Sequence, residues 1–411
     1  MPFLYSFSIF FYTTLIKFAA LFTAKARRWV AGRKNLFALM EQQIDRNQPH
    51  VWFHAASLGE FEQGRPVIEE FRKHYPHYKI VLTFFSPSGY DIRKNYAGAD
   101  HIWYLPADSP RNVKKFLELV NPSMVFFIKY EFWFNYIHQI HKRNIPLYFF
   151  SVKFRPDQFF FAWYGGWFRK NLQKISWLFV QDESSLRLLD KIKIQQCSIS
   201  GDTRFDRVRS VAIAKKEFPL VAKFTNNAQV LIAGSTWQPD EEFLIQFINQ
   251  QPLKLKLIMA PHEIHEERMA SFQARIQAKS IRFSELSEQN ASDADVLIID
   301  NIGMLLHLYQ YAHVAYIGGG FGKSIHNILE AATFGKPVVF GPAYHKFQEA
   351  LDLIALGGAF PVNNYKEFDA IVQQLFAQEA FLKKTSEICN TFVIEHSGAT
   401  AIIMDKIATQ I

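Results

Sequence analysis

The chain has 411 residues, of which 49% are hydrophobic and 20% charged, with a formal net charge of +8 and two cysteines. This length favours two domains, and the hydrophobic content excludes a disordered protein. Cys197 and Cys389 are too few and too far apart for a disulfide scaffold or a zinc site, so a reducing compartment is expected. The basic excess favours an anionic partner, and without a zinc finger, an RNA-binding aromatic motif or a basic run we expect a membrane surface or a phosphorylated lipid rather than nucleic acid.

Residues 2–22 form an apolar segment with one charge, Lys17, and approach the roughly 20 residues that a membrane span requires. Five basic residues follow closely: Lys25, Arg27, Arg28, Arg33 and Lys34. Because positive residues stay on the cytoplasmic side, we predict a membrane anchor with a basic flank over residues 1–35 and a cytoplasmic body. No charged region precedes the segment and no small-residue cleavage site follows it, which disfavours a removed signal peptide. The anchor is predicted to be single-pass or interfacial, and the alternative is a buried first helix packed on the next domain.

Short apolar strands alternate with amphipathic helices from residue 50 onward, a pattern that predicts a parallel, doubly wound α/β sheet. The first series of predicted strands covers residues 50–55, 79–84, 101–104, 123–128, 147–151, 177–180 and 198–200. The second series covers residues 229–233, 255–259, 296–299, 314–317 and 337–340.

The polar interval 209–227 has no strand pattern and separates the two series, so we expect a hinge region there. The predicted organisation is one Rossmann-like domain over residues 36–210, a second over 211–390, and a terminal helix over 391–411 that crosses back to the first domain.

The segment 316–342 is the most informative part of the chain. A short strand leads into Gly318, Gly319, Gly320 and Gly322, and a helix is predicted to open at Asn327. Glycines let the backbone approach an anion, and a helix N-terminus adds free N–H groups. Glu330 follows Asn327 by three residues, where its carboxylate can accept from ribose hydroxyls. The pattern predicts a phosphate and ribose pocket, with an ordinary glycine-rich turn as the alternative.

Charged side chains follow predicted strands of the first domain, at the sheet edge where ligands of α/β folds collect. Glu60 begins the helix after residues 50–55, and Lys129 and Glu131 follow the strand 123–128. Glu60 is a candidate proton acceptor or simply a helix-capping acid. Arg204 is a candidate for neutralising an anionic substrate or a partner of Asp202 or Asp206 in a surface ion pair. We expect the loop 234–237 to lie on this side of the molecule as well.

In the second domain, His262 follows the strand 255–259 and can donate to a phosphate, although a lone histidine is more often structural. The loop 300–303 can present backbone N–H groups. His262 and His265 lack a third ligand, so we predict no metal site.

Four of these stretches resemble the family of bacterial 3-deoxy-D-manno-octulosonic acid (Kdo) transferases. They are HAASLGE at residues 54–60, KYEFW at 129–133, GDTRFD at 201–206 and HNILEAA at 326–332. The resemblance implies a GT-B fold, in which two Rossmann-like domains face a central cleft. It also implies an inverting glycosyltransferase of lipopolysaccharide biosynthesis that moves Kdo from CMP-Kdo to a lipid A precursor at the cytoplasmic face of the inner membrane.

The resemblance also implies roles for individual residues. Glu60 becomes the general base, while Glu131 and Arg204 become candidates for stabilising the transition state. The expected CMP-binding residues are Pro261, His262, Ile302, Gly303, Met304, Asn327, Ile328, Leu329 and Glu330. No metal or cofactor is expected. The family more often has Lys at the position of Arg204, Arg at that of His262 and Glu at that of Met304.

Two other readings stay open. Another GT-B nucleotide-sugar enzyme, such as an epimerase, would share the glycine pocket, but Glu60 and the apolar N-terminus disfavour an epimerase. A membrane-tethered protein that binds an anionic glycolipid without catalysis would give Glu60 and Glu131 no required role.

Overall fold

A computed structural model describes residues 2–250 and 255–410 of the chain. It divides into two compact units, unit 1 with residues 1–207 and 398–411, and unit 2 with residues 208–397. Each unit contains one seven-stranded sheet in which every neighbouring pair is parallel. The predicted fold class of two Rossmann-like α/β domains is confirmed.

The sheet of unit 1 has the strand order β3-β2-β1-β4-β5-β6-β7. Its strands are β1 (His50–Ala55), β2 (Lys79–Phe84), β3 (His101–Tyr104), β4 (Pro122–Ile128), β5 (Leu147–Val152), β6 (Trp177–Val180) and β7 (Cys197–Ile199). Alternate residues of a strand enter different cores: Trp52 packs on one face of the sheet and Phe53 on the other. Because both faces of the sheet are buried, these strands are continuous apolar runs in the sequence.

The helices of unit 1 cover both faces of the sheet. They are α1 (Pro2–Ala19), α2 (Ala24–Ala31), α3 (Leu36–Gln43), α4 (Leu58–His74), α5 (Pro87–Arg93), α6 (Pro110–Val120), α7 (Phe134–Lys142), α8 (Gly166–Leu172), α9 (Glu183–Lys191) and α10 (Thr203–Ala214), which continues into unit 2.

Helix α1 lies on unit 1 along one of its faces. Asp108, which is 1% exposed, accepts hydrogen bonds from the Tyr5 hydroxyl at 2.5 Å and from the backbone N–H groups of Asn135 and Tyr136 at 3.1 and 3.0 Å. The opposite face exposes large apolar side chains, and we call it the exposed face of α1: Phe3, Leu4, Phe7, Phe10, Phe11, Leu15 and Phe18. Within the described residues, no helix alone has the length and hydropathy to cross a bilayer, and α1 with α2 passes that test only as a pair bent by 120°.

The sheet of unit 2 has the strand order β10-β11-β9-β8-β12-β13-β14. Its strands are β8 (Gln229–Thr236), β9 (Leu255–Pro261), β10 (Ser280–Arg282), β11 (Val296–Ile298), β12 (Val314–Ile317), β13 (Val338–Phe340) and β14 (Ala359–Pro361). The sequence did not predict β10 and β14, the three-residue strands at the two edges. The loop 234–237 belongs to this unit, and the interval 209–227 contains most of α10 and a further helix.

Unit 2 also contains eight α-helices within its described residues. They are α11 (Pro219–Thr225), α12 (Gln238–Gln250), α13 (Glu266–Gln273), α14 (Leu305–Leu308), α15 (Leu329–Ala332), α16 (Gln348–Leu356), α17 (Tyr365–Ala377) and α18 (Glu379–His396), with short 3-10 helices at Phe283–Glu285 and Tyr309–Tyr311.

Helix α19 (Ala399–Ala408) returns to unit 1, where Ile403, Met404 and Ile407 enter the core against the sheet. The Asp206 carboxylate fixes its start by accepting from the backbone N–H groups of Gly398 and Thr400 and from the Thr400 hydroxyl. The chain therefore leaves unit 1 after residue 207 and re-enters it at residue 398, beside the same aspartate.

Candidate active site

Glu60 and Glu131 lie at the carboxyl-terminal edge of the sheet of unit 1, after the neighbouring strands β1 and β4. Glu60 is in the first turn of α4, and its carboxylate accepts a hydrogen bond from the hydroxyl of Ser57. Ser57 is the N-cap residue, but its side chain makes no capping hydrogen bond. The hydroxyl of Ser57 thus orients the carboxylate of Glu60 instead of capping the helix.

The carboxylate of Glu131 is held by the indole of Trp133 and faces the imidazole of His54. Trp133 Nε1 donates to Glu131 Oε2 at 2.8 Å, and His54 Nε2 lies 3.4 Å from the same oxygen. The His54 side chain is fully buried, whereas that of Glu131 is 17% exposed. The carboxylate is therefore fixed from the protein side and still reaches solvent.

Thr83 sets the orientation of the His54 ring. His54 Nδ1 lies 2.9 Å from Thr83 Oγ1 and 3.1 Å from the Thr83 carbonyl oxygen, and Trp52 Nε1 donates to Thr83 Oγ1 at 2.7 Å. His54 Nε2 faces the Glu131 carboxylate at 3.4 Å but makes no hydrogen bond within the described structure. Sequence reasoning missed this partner because His54 lies inside β1.

The backbone is strained at the exit of β4. Lys129, the residue after this strand, has a φ of +69°, a left-handed conformation that side chains other than glycine seldom adopt. Such strain persists where surrounding structure enforces it, and it clusters at functional sites. Lys129 begins the turn that presents Tyr130 and Glu131.

Arg204 reaches the helix of Glu60 through Asp202. The Arg204 Nε and terminal amino groups both donate to Asp202 Oδ2 at 2.8 Å. Gln63 on α4 donates to Asp202 Oδ1 at 3.0 Å, and the Thr203 hydroxyl donates to the Gln63 carbonyl oxygen at 2.5 Å. Although β7 is the edge strand, the loop that follows it folds back onto α4. The ion pair with Asp202, one of the alternatives, is formed, and its carboxylate is 7% exposed.

In unit 2, the predicted CMP-binding residues follow three strands at one edge of the sheet. Pro261 ends β9 and His262 follows it, Ile302, Gly303 and Met304 follow β11, and the glycine segment follows β12. Gly303 has a φ of +96° with open space around it, and Ile302 is 92% exposed, so this loop presents its backbone outward. Between β9 and β12 lies β8, whose exit adds Trp237.

Three of the four glycines pack against protein backbone. A Cβ on Gly318 would lie 2.3 Å from the Ser235 carbonyl oxygen, and one on Gly320 would lie 2.6 Å from the Gly341 nitrogen. Gly319 has a φ of +90°. A Cβ on Gly322, by contrast, would meet its nearest atom at 3.5 Å. The first three glycines are thus required by the close approach or conformation of neighbouring loops.

The prediction that a helix opens at Asn327 is wrong. Helix α15 begins at Leu329 and has four residues. Asn327 Oδ1 accepts from the Leu329 backbone N–H at 3.2 Å, and Asn327 Nδ2 donates to Glu330 Oε1 at 3.3 Å. The Asn327 side chain makes a local turn with the backbone, which delays the helix by two residues.

Three rings meet above these loops, and two of them belong to residues that were not predicted. The rings of His262 and His326 stack with centroids 4.3 Å apart, and Trp237 lies 4.7 Å from His262. Trp237 Nε1 donates to His326 Nε2 at 3.1 Å. Burial, with a smaller contribution from His262, lowers the pKa of His326 to about 4, so this ring is neutral at physiological pH.

Asp240 is a second residue that sequence reasoning missed. It is 1% exposed and accepts from the Tyr316 hydroxyl at 2.6 Å and from the backbone N–H groups of Gly319 and Trp237, both at 2.9 Å. Burial raises the pKa of this carboxyl group. Its position three residues after Trp237, with Pro239 in the first turn, is a helix-start signal that would have found it.

Comparison with known proteins identifies relatives over most of the chain. The family model described as 3-deoxy-D-manno-octulosonic-acid transferase (kdotransferase) matches residues 31–207. The 3-deoxy-D-manno-octulosonic acid transferase of Haemophilus influenzae is 24% identical, over 96% of this chain and 97% of that protein. The protein of the same name from Rickettsia bellii is 28% identical, over 76% of this chain and 75% of its own length.

A solved structure agrees in fold. The UDP-GlcNAc 2-epimerase of Neisseria meningitidis superposes with a TM-score of 0.61 over 88% of this chain and 100% of its own, at 16% identity. At this identity the likeness establishes the architecture and no activity. The chain is therefore similar to 3-deoxy-D-manno-octulosonic acid transferases over most of its length, and the family model covers residues 31–207.

Proposed function

We propose that this chain transfers Kdo from CMP-Kdo to a lipid A precursor. The observation that carries the proposal is the pair of carboxylates at the exits of β1 and β4, each oriented by a hydrogen-bond donor, in a chain similar to the transferases of this family. Transfer to a hydroxyl needs a group that accepts a proton, and a carboxylate fixed at a strand exit meets that need.

In the proposed reaction, Glu60 accepts the proton of the acceptor hydroxyl as its oxygen attacks the anomeric carbon of Kdo. The new carbon–oxygen bond forms while the bond to the CMP phosphate breaks, and CMP leaves with the electron pair. A single displacement inverts the anomeric configuration. Glu131 lies one strand from Glu60 and would stabilise positive charge developing on the sugar ring.

Arg204 would stabilise negative charge on the departing phosphate. Its guanidinium is held by Asp202, which fixes its position. The donor itself would be bound in unit 2 by the nine residues predicted for CMP, with His262 presented on the neutral ring of His326. Backbone N–H groups and Arg204 would carry the phosphate charge, so we expect no metal; that expectation stays a prediction.

We further propose that the protein is held at the cytoplasmic face of the inner membrane through the exposed face of α1. Exposed apolar surface of this extent marks an interaction site, and basic side chains nearby favour anionic lipid headgroups. Replacing Phe7 and Phe11 by Ser should release the protein from vesicles that contain anionic lipid, as measured by flotation. Unchanged association of this variant would contradict the proposal.

The transfer reaction is tested by incubating purified protein with CMP-Kdo and a lipid A precursor and weighing the lipid by mass spectrometry. A gain of one or more Kdo residues is expected. Binding of the acceptor without any mass gain would instead favour a non-catalytic binding protein, and conversion of a nucleotide sugar to its epimer would favour an epimerase.

A further inference from the structure

A cavity of about 590 Å³ lies beneath α1, within unit 1. Its walls come from α1, from α2 and α3, and from the loop that joins β3 to α6. Ile9 and Lys17, eight residues apart on α1, both line it, so the cavity follows the helix for about 12 Å. This volume is within the range of small-molecule sites.

The walls combine apolar side chains with positive charge. Trp29 and Phe37 contribute rings, as does Phe10 at the border of the exposed face of α1, while Lys17, Arg33 and Lys34 contribute cationic groups. Lys17 and Lys34 are exposed, and neither forms an ion pair with a described residue. A ligand that matches this lining has a long apolar part and an anionic group.

Arg33 is the least exposed of the three cations. Its guanidinium lies 3.7 Å from the centroid of the Trp29 ring and donates to the carbonyl oxygens of Trp29, Phe85 and Leu105. None of the contacts found for it within the described structure is a carboxylate. Burial lowers the pKa of Arg33 to about 9. A buried cation without an acidic partner is costly, and an anion bound nearby would offset that cost.

Trp29 contributes its ring to the same wall. Its side chain is 7% exposed, and its buried Nε1 donates to no described atom. The cavity therefore offers an apolar channel and three cations.

We infer that this cavity binds one acyl chain of a phosphorylated lipid, with the phosphate beside Lys17 and Lys34. This chemistry is shared by an anionic membrane phospholipid and by a phosphorylated, acylated acceptor. The inference concerns a binding site apart from Glu60 and Glu131, and it is measured without CMP-Kdo, so it can fail while the transfer reaction stands.

The first test uses the whole protein and single-chain ligands below their micelle-forming concentrations, with binding measured by calorimetry. Dodecyl phosphate is expected to bind about tenfold more tightly than dodecyl maltoside, and inorganic phosphate should not bind measurably. Lys17→Gln together with Lys34→Gln should remove the preference for dodecyl phosphate. Equal affinity for the two dodecyl ligands in the unchanged protein would overturn the inference.

A matched pair of substitutions on α2 tests the location. Ala31 lines this cavity, whereas Ala26 lines a smaller cavity of about 350 Å³ on the other side of Trp29. Ala31→Phe should weaken dodecyl phosphate binding about tenfold, and Ala26→Phe should leave it unchanged. Equal loss in both variants, or loss only in Ala26→Phe, would contradict the assignment.

Experiments with vesicles distinguish the two possible sources of the bound acyl chain. Phosphatidylglycerol with a photoreactive group in one acyl chain should cross-link to residues 9–17 or 29–37, as located by mass spectrometry. If a lipid A precursor suppresses these cross-links, the cavity binds an acyl chain of the acceptor. If the precursor has no effect, the cavity binds an acyl chain of a membrane lipid. Cross-links confined to Phe3, Leu4 and Phe7 would overturn the inference.

Discussion

The two units build similar sheets but equip corresponding edges with different chemical groups. In unit 1 the strand exits carry ionisable side chains that other side chains orient: Ser57 holds Glu60, Trp133 holds Glu131, and Asp202 holds Arg204. In unit 2 the exits carry close-packed glycines and a neutral His326.

This difference suggests that unit 1 serves catalysis and unit 2 serves ligand binding. Oriented charges can move protons and stabilise a transition state, whereas rigid backbone and neutral rings can position a ligand. Substitutions at the edge of unit 1 should therefore lower the turnover rate. Those at the edge of unit 2 should lower stability or raise the KM for the donor.

The largest effect is expected for Glu60→Gln. Loss of the proposed proton acceptor should lower kcat about 1,000-fold with little change in the KM for CMP-Kdo. Steady-state kinetics would measure both. Glu69→Gln, on the same helix and paired with Arg65, is the matched control and should keep near-normal kcat. If both variants turn over alike, Glu60 is not the base.

Gly320→Ala tests the packing of the glycine segment. A new Cβ would meet the backbone of Gly341, so the free energy of unfolding of unit 2 should fall by about 3 kcal/mol. Gly322→Ala has room for its Cβ and should change the free energy of unfolding by less than about 0.5 kcal/mol. Denaturant unfolding compares the two, and an equally stable Gly320→Ala variant would contradict the packing role.

His54→Ala should lower kcat about 30-fold, because Glu131 would lose the ring that faces it. Thr83→Val removes only the hydroxyl beside His54 Nδ1 and should lower kcat by a smaller factor. The pH profile of kcat should shift in both variants if the ring sets the protonation of Glu131. A fall in stability with an unchanged profile would make His54 purely structural.

Asp108 predicts a pH dependence of stability. Burial raises the pKa of its carboxyl group from 3.8 to about 7, so the folded protein binds this proton more tightly than the unfolded chain does. Its contribution is fully present below about pH 4 and is lost as the pH rises through about 7, a change of about 4 kcal/mol. Thermal unfolding of Asp108→Asn should lack this component.

Asp100 provides a control of opposite sign. Hydrogen bonds from Arg72 and from the Ile80 N–H lower the pKa of its carboxyl group despite partial burial, so its contribution is lost as the pH falls. If Asp100→Asn and Asp108→Asn alter the pH dependence in the same direction, the assignment to Asp108 is wrong.

The smallest effect is expected for Glu330→Gln, which should raise the KM for CMP-Kdo about fivefold with kcat nearly unchanged. Asp352→Asn, an exposed change on α16, should alter neither constant. A large fall in kcat for Glu330→Gln would place unit 2 in the chemical step and break the contrast between the units.

Sequence patterns predicted the strands that are buried on both faces, because a short apolar run between turn signals is typical of a buried strand. Strands β1, β2, β3, β6 and β12 have the predicted bounds. The edge strands β10 and β14 were missed because Ser280–Arg282 has a single apolar residue and Ala359–Pro361 ends in proline, so neither forms an apolar run. The start of α15 was misplaced because the side chain of Asn327 competes with helical hydrogen bonding.

The positions of the candidate residues could be predicted, but their contacts could not. Glu60 and Glu131 were expected at strand exits because charges there are recognisable in a sequence, and both lie at the exits of β1 and β4, while their roles stay predictions. Their partners were not expected, since the proximity of His54 to Glu131 depends on the pairing of β1 with β4. Likewise, nothing local indicates that Asp202 meets Gln63, 139 positions away.

The capping of α19 by Asp206 has a consequence for synthesis. Unit 2 is continuous in sequence, so all of its strands can pair before residue 398 leaves the ribosome. Unit 1 cannot close its core until Ile403, Met404 and Ile407 arrive, after the whole of unit 2 has been made. The nascent chain would thus carry an unfinished first half with an open apolar groove, which makes that half the expected client of chaperones.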